Sequence, residues 1–168
     1  MYLVFSDSHG DLQAIQEMLA YEKDYQAIFC GGDLGFDIDF IEEHQMIAVR
    51  GNYPFAPKVP YDIIQEINQV RILITHGHKY RVKGGMYRLK QYCQEQSIDL
   101  CIFGHTHQRL LKKIDQTIYL NPGALSYSRS SRFPSYARLS INQGIRIEII
   151  DLVSKKVVID YEVTDERK

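Results

Sequence analysis

The sequence predicts an α/β fold from three observations. Short apolar runs rich in β-branched and aromatic residues recur at residues 2–5, 27–30, 46–49, 70–74, 100–103 and 117–120, each the length of a buried strand. Segments with a helical hydrophobic period lie between them. The last third of the chain changes to consecutive strand-like stretches joined by short turns.

Taken in order, the first run leads into residues 11–22, where Leu12, Ile15, Met18 and Leu19 recur near a 3.6-residue period. Gly10 and Asp11 suit the cap of that helix. A short helix is expected at 40–44 and a longer one at 86–96, with Met86, Leu89 and Cys93 on one side after the break at Gly84 and Gly85. Stretches 136–141, 145–152 and 156–163 are separated by turns around Asn142-Gln143-Gly144 and Ser154-Lys155, the pattern of a β-meander. Residues 53–60, with Pro54, Pro57 and Pro60, read as an irregular loop, and the charged tail 164–168 as a frayed end. No repeat or linker splits the chain, so residues 1–168 are expected to form a single domain.

Composition narrows the function. Hydrophobic residues make up 45% and charged residues 24% of the 168 positions, an ordinary globular balance that promises a real core. The 20 Lys plus Arg nearly cancel the 21 Asp plus Glu, which excludes a broad basic footprint for sequence-specific nucleic-acid binding or for an anionic membrane. Any phosphate chemistry has to be local. No apolar stretch approaches the roughly 18 residues that span a bilayer, and no secretory leader is evident. Cys30, Cys93 and Cys101 form no CxxC pair and fall in apolar runs or on a helix stripe, so they read as reduced, buried hydrophobes. A cytoplasmic protein is expected.

The chemistry lies in the turns. Five strand-like runs end in a short polar or glycine turn: Ser6-Asp7-Ser8-His9-Gly10, Gly31-Gly32-Asp33, Arg50-Gly51-Asn52, Thr75-His76-Gly77-His78 and Gly104-His105-Thr106-His107. In an open α/β sheet the carboxyl ends of parallel strands form the rim where ligands bind, so these turns are expected to converge. On an extended segment Asp7 would point with His9, and His105 with His107, and glycine would let each turn bend sharply. Asp7, His9, Asp33, Asn52, His76, His105 and His107 supply carboxylate, imidazole and carboxamide donors without a thiolate. That set suits Mn, Fe, Zn, Co or Ni better than a closed structural zinc site. Seven donors exceed the need of one tetrahedral ion and suffice for two if a carboxylate bridges.

The series Asp7-x-His9, Gly32-Asp33, Gly51-Asn52, His76-Gly77-His78 and Gly104-His105-x-His107 resembles the signature of the calcineurin-like metallophosphoesterases. Chain length and Asn121-Pro122-Gly123 resemble the small bacterial and archaeal phosphodiesterases of that superfamily. The resemblance covers about residues 1–140. It implies a two-sheet β-sandwich of mixed strands flanked by helices, a four-layer α/β/β/α arrangement with the metals at the sheet edges. It also implies that Asp7, His9, Asp33 and His107 hold one divalent ion and Asp33, Asn52, His76 and His105 the other, with Asp33 as the bridge. Two such ions, Mn above the alternatives, would generate a bridging hydroxide for in-line attack on a phosphate ester. Asp33, Asn52, His76 and His105 are thereby the expected catalytic set.

One turn departs from the pattern. Many members continue Gly-Asn-His-Asp/Glu, with the histidine protonating the leaving oxygen, whereas this chain reads Gly51-Asn52-Tyr53-Pro54. General-acid catalysis is worth roughly 10²–10⁴-fold, so Tyr53 and His78 become the candidates for proton donation or substrate contact. Arg129, in the serine-rich segment 126–132 with Arg132, is a candidate phosphate clamp. The basic segment Lys79, Arg81, Lys83, Arg88 and Lys90 reads as a solvated loop and helix face. The function expected is a phosphodiesterase acting on a small phosphate ester. The alternatives are a phosphomonoesterase or nucleotide hydrolase with the same centre, or a non-catalytic protein-binding scaffold, since this branch resembles a retromer subunit that uses the fold for protein contacts. Small members often self-associate, which leaves room for a homo-oligomer.

Overall fold

The computed structural model describes residues 1–53, 58–127 and 133–164. They form two sheets packed face to face. In the first, β1 (Tyr2–Phe5), β2 (Ile28–Cys30) and β3 (Met46–Ala48) run parallel, and the meander β9 (Ser135–Ile141), β10 (Gly144–Asp151) and β11 (Val157–Thr164) extends it antiparallel from β1. The second holds β4 (Asp62–Ile67), β5 (Val70–Thr75), β6 (Leu100–Ile102), β7 (Arg109–Ile114) and β8 (Thr117–Pro122), in the order β4-β5-β6-β8-β7. Its central strands β5, β6 and β8 are parallel and both edges antiparallel.

Period-two alternation explains the layering. In β1, Leu3 and Phe5 face a cluster with Ala14, Ile15 and Met18 of helix α1 (Leu12–Tyr21) and Ile41 of α2 (Ile38–Glu43), while Val4 between them joins the layer between the sheets. In β5, Ile72 and Ile74 point into that same layer, and Leu73 points outward to Leu89 and Cys93 of α3 (Tyr87–Glu95). The result is helix, sheet, sheet, helix, as the family resemblance implied. Asp11 caps α1 by accepting from the Ala14 N–H at 3.0 Å, and Asp37 does the same for α2 through Phe40.

The two sheets are those of the sandwich that the resemblance implied, each with its own parallel set. Strands β4 and β7 were not foreseen, because an edge strand such as Asp62–Ile67 is only half buried, and β7 carries exposed Lys112 and Lys113 that blur its alternation. Pro54, Pro57, Arg129, Arg132 and the tail from 165 lie outside the described residues. All three cysteines are free and buried, and among the described residues no helix is long and apolar enough to cross a membrane.

Leu120 is fully buried between the sheets. Leu120→Ala is expected to destabilise the protein by about 2–5 kcal/mol, whereas Lys112→Ala on the exposed edge stays within about 0.5 kcal/mol. Urea unfolding midpoints with equal slopes check both.

Candidate metal centre

The two parallel sets bring their carboxyl ends to the same end of the sandwich. Asp7 and His9 follow β1, Asp33 follows β2, Asn52 follows β3, His76 follows β5, and His105 and His107 follow β6. Backbone hydrogen bonds tie neighbouring loops together: Asp7 N–H to the Gly32 carbonyl at 3.0 Å, His9 N–H to Asp33 at 2.9 Å, and Gly104 N–H to His76 at 3.2 Å. The sheets are joined by His105 N–H donating to Asp7 Oδ2 at 3.0 Å and by His76 Nδ1 contacting the Gly31 carbonyl at 2.8 Å.

The pairing of Asp7 with His9 and of His105 with His107 does not come from extended backbone. Asp7, His9, Asp33, His105 and His107 all have left-handed φ, at 56°, 48°, 49°, 68° and 58°. Such a conformation costs of order 1–3 kcal/mol in a non-glycine residue and persists where the surroundings over-determine it. Glycine plays a different part from the one expected at two positions, Gly51 and Gly104, where the need is for space. A Cβ on Gly104 would collide with Ser6 Oγ and Asp7 Oδ2, and one on Gly51 with the side chain of Asp33.

Asp7 is completely buried. Its Oδ2 accepts from Ser6 Oγ at 2.6 Å and from His105 N–H. Its Oδ1 is buried without a hydrogen-bond partner. Around that oxygen stand three imidazole nitrogens, His107 Nε2 at 3.1 Å and the Nε2 atoms of His9 and His76 at 3.9 Å. His9 Nε2 and His107 Nε2 themselves meet at 3.3 Å.

Asp33 is held similarly. Its Oδ1 accepts from the Tyr53 N–H at 2.7 Å, and its Oδ2 faces His76 Nε2 at 3.3 Å and His9 Nε2 at 4.0 Å. A carbonyl can only accept, so the contact with Gly31 places a hydrogen on His76 Nδ1 and leaves Nε2 toward the aspartates. There it also meets the Asn52 carbonyl oxygen at 3.1 Å. Among the described residues, donor atoms lie within 4.8 Å of one another in two groups, Asp7 with His9 and His107, and Asp7 with Asp33 and His76. His105 is in neither group, although its ring stands edge-on to His76 at 5.0 Å.

Charge explains the titration. Burial pushes the Asp33 pKa up, but the hydrogen bond and charge of His76, with the Tyr53 N–H and His9, outweigh it and bring the value down to about 2. Burial likewise pulls His76 down, and Asp33 and Asp7 overcome that and leave it raised. His105 is lowered to about 4 by burial, then by the positive His76 and Lys83. Two buried carboxylates, an orphaned oxygen and converging imidazoles fit divalent cations held by oxygen and nitrogen.

Of the remaining sequence candidates, Tyr53 stands edge-on to His9 at 5.3 Å, at the rim. His78 lies 5.3 Å from His76 and 6.1 Å from His105, ring to ring. Arg129 lies outside the described residues. The supporting roles of Ser6, named only as part of a turn, and of Asn121, named only in the motif of the resemblance, were missed: Ser6 Oγ donates to Asp7 Oδ2, and the Asn121 amide donates to the Gly104 carbonyl and Thr106 Oγ1 at 3.0 Å each.

Residues 1–144 match the model of the calcineurin-like phosphoesterase superfamily domain. The probable metallophosphoesterase YsnB of Bacillus subtilis is 28% identical over 163 residues, covering 92% of this chain and 93% of its own. A conserved uncharacterized protein of Streptococcus pneumoniae, described as a predicted phosphoesterase, superposes with TM-score 0.84 at 27% identity, covering 97% of this chain and 96% of its own. Vps29 of Entamoeba histolytica complexed with Zn²⁺ shares the fold, with TM-score 0.77 at 24% identity over 97% of this chain and 98% of its own. The chain thus belongs to the calcineurin-like phosphoesterase superfamily, a hydrolytic family of metal-dependent phosphoesterases.

Proposed function

We propose that the protein is a phosphodiesterase working with two divalent metal ions, Mn above the alternatives, on one domain in the cytoplasm. The observation that carries this reading is the Asp7 Oδ1 atom, buried, unpartnered and surrounded by the Nε2 atoms of His9, His76 and His107. Asp7, His9, Asp33 and His107 would hold one ion, and Asp33, Asn52, His76 and His105 the other. Asp33 Oδ2 faces both His9 and His76, as Asp7 Oδ1 does, and the bridging role is given to Asp33 on the family resemblance. When bound, such a pair lowers the pKa of water and neutralises charge on a phosphoryl group undergoing in-line displacement.

The protein's own share is preorganisation. Ser6 and the His105 N–H occupy one oxygen of Asp7 and so aim the other. The Gly31 carbonyl fixes the His76 tautomer, and the Tyr53 N–H fixes Asp33. Partners of this kind typically matter 10–100-fold in metal affinity. The buried cysteines lie outside the site and supply no nucleophile. His78 flanks the second group, and burial followed by the positive His76 lowers its pKa, so less of it carries a proton to donate to a leaving group. Esters with good leaving groups are favoured accordingly.

On bis-p-nitrophenyl phosphate with Mn²⁺, Asp33→Asn and His76→Ala are each expected to lower kcat/KM by roughly 10²-fold or more; three equal rates would end the enzyme reading. A scaffold would keep its protein contacts after chelation, while hydrolysis would stop.

Ser6→Ala is expected to weaken Mn²⁺ about 10–100-fold in titration calorimetry. An unchanged affinity would show that Asp7 needs no such support.

Metal must displace the proton of His76, whose pKa is raised, while Asp33, at about 2, is already ionised and His105, at about 4, already neutral near pH 7. Mn²⁺ affinity is therefore expected to fall about tenfold per pH unit below the His76 pKa, beginning above the free-histidine value of about 6.5. Calorimetry at pH 8, 7 and 6 checks it, and a flat profile would contradict it.

A further inference from the structure

The pairing of β6 with β8 ends just before the turn that carries two of the proposed ligands. The strands are parallel, with Ile102 opposite Leu120, and the Phe103 N–H still reaches the Leu120 carbonyl at 2.9 Å. The chain then turns through Gly104, His105, Thr106 and His107, with His105 and His107 at left-handed φ of 68° and 58°. Two strained residues on either side of Thr106 persist only where neighbouring groups hold them.

The next residue of β8, Asn121, takes over from the ladder with its side chain. It is fully buried. Its amide nitrogen donates to the Gly104 carbonyl and to Thr106 Oγ1, at 3.0 Å each, and its Oδ1 accepts from the Gly123 N–H at 3.0 Å. A carbonyl can only accept and an N–H can only donate, so these neighbours fix which way the amide faces. Both amide hydrogens are thereby committed to one turn. The same two acceptors close the turn on itself: the Gly104 carbonyl also accepts from the Thr106 N–H at 2.8 Å, and Thr106 Oγ1 from the Gln108 N–H at 3.3 Å. From the other sheet Asp7 Oδ2 holds the His105 N–H, and Ser6 and Asp7 leave no room for a Cβ on Gly104. The turn is clamped between the first sheet and Asn121.

Resting on the two-ion reading above, we propose that Asn121, acting through Thr106 and the Gly104 carbonyl, is the positioning residue for both His105 and His107, and so for proposed ligands of two different ions. One buried side chain then sets the reach of an imidazole toward each ion. Small errors there matter, because donor groups have to be held within about 0.5 Å of their productive places. Thr106 contributes only its hydroxyl oxygen as an acceptor, so serine can stand in for it and valine cannot. Asn121 touches neither ion nor substrate, and its effect passes through the backbone between the two rings.

The test combines Mn²⁺ titration calorimetry with amide hydrogen exchange of the metal-free protein. Asn121→Ala, which removes both donors without adding charge, is expected to weaken Mn²⁺ about 10–100-fold and to speed exchange of the Thr106 and Gln108 amides about tenfold or more. Thr106→Val is expected to weaken Mn²⁺ about three- to tenfold and Thr106→Ser to stay within about twofold of the wild type. The Thr106 pair decides the matter alone if Asn121→Ala fails to fold. Thr117→Val removes another buried side-chain bond at the far end of the same strand, Thr117 Oγ1 to the Ile98 carbonyl at 2.7 Å; it is expected to lower stability and to leave Mn²⁺ affinity and the two amides unchanged. Wild-type affinity in Asn121→Ala or Thr106→Val, unchanged exchange in Asn121→Ala, an equal loss in Thr117→Val, or a loss in Thr106→Ser as large as in Thr106→Val would each overturn the role. Absence of bis-p-nitrophenyl phosphate hydrolysis by the Mn²⁺-loaded wild type would instead overturn the catalytic reading, and the titration would still decide Asn121.

Discussion

Two carboxylates buried side by side govern this structure. Asp7 is fully buried and Asp33 nearly so, with oxygens no more than 4.8 Å apart in a group shared with His76. Like charges that close, away from water, are tenable only if positive charge and hydrogen-bond donors are supplied on the spot. The chain supplies donors to one oxygen of each, through Ser6 and His105 for Asp7 and through Tyr53 for Asp33. The other oxygens are left to imidazoles. In the metal-free protein, Asp33 and Asp7 raise the pKa of His76 against the pull of burial and so favour its protonated form. A divalent ion does the same job with more charge, so proton and metal compete for one place.

That demand explains why the fold needs two sheets. Asp7 and Asp33 come from neighbouring parallel strands of the first sheet, but His76, His105 and His107 come from the second. The layer of Val4, Phe29, Ile72, Ile74, Ile102 and Leu120 between the sheets therefore sets the distance from the carboxylates to the imidazoles facing them. Tight packing makes such a distance stiff. The same stiffness holds the five left-handed residues at the rim, whose combined backbone cost local contacts alone would not sustain.

Strand ends and donor types were legible because they depend on local pattern. A short apolar run followed by Gly and Asp, as at residues 27–33, announces both a strand and its polar terminus. Relations across space were not. Nothing in Asp62–Ile67 or Arg109–Ile114 declares an edge strand, since edges are half-solvated and their alternation is diluted. The split into two sheets was available only through family resemblance, because apolar runs look alike whichever sheet they join. Ser6 was invisible for a related reason, since its value lies in reaching the far oxygen of Asp7 once that residue adopts a left-handed turn. Gly51 and Gly104 were read correctly as necessary and for the wrong cause. Their hydrogen atoms make room for the Asp33 and Asp7 side chains.

A molecule with almost no net charge can still attract phosphate, because the charge that matters is local. Two divalent ions would bring four positive charges against the two carboxylates of Asp7 and Asp33, leaving the loaded centre cationic whatever the surface carries. On the proposed mechanism, with Tyr53 in place of a histidine after Asn52, the rate would depend on the leaving group itself.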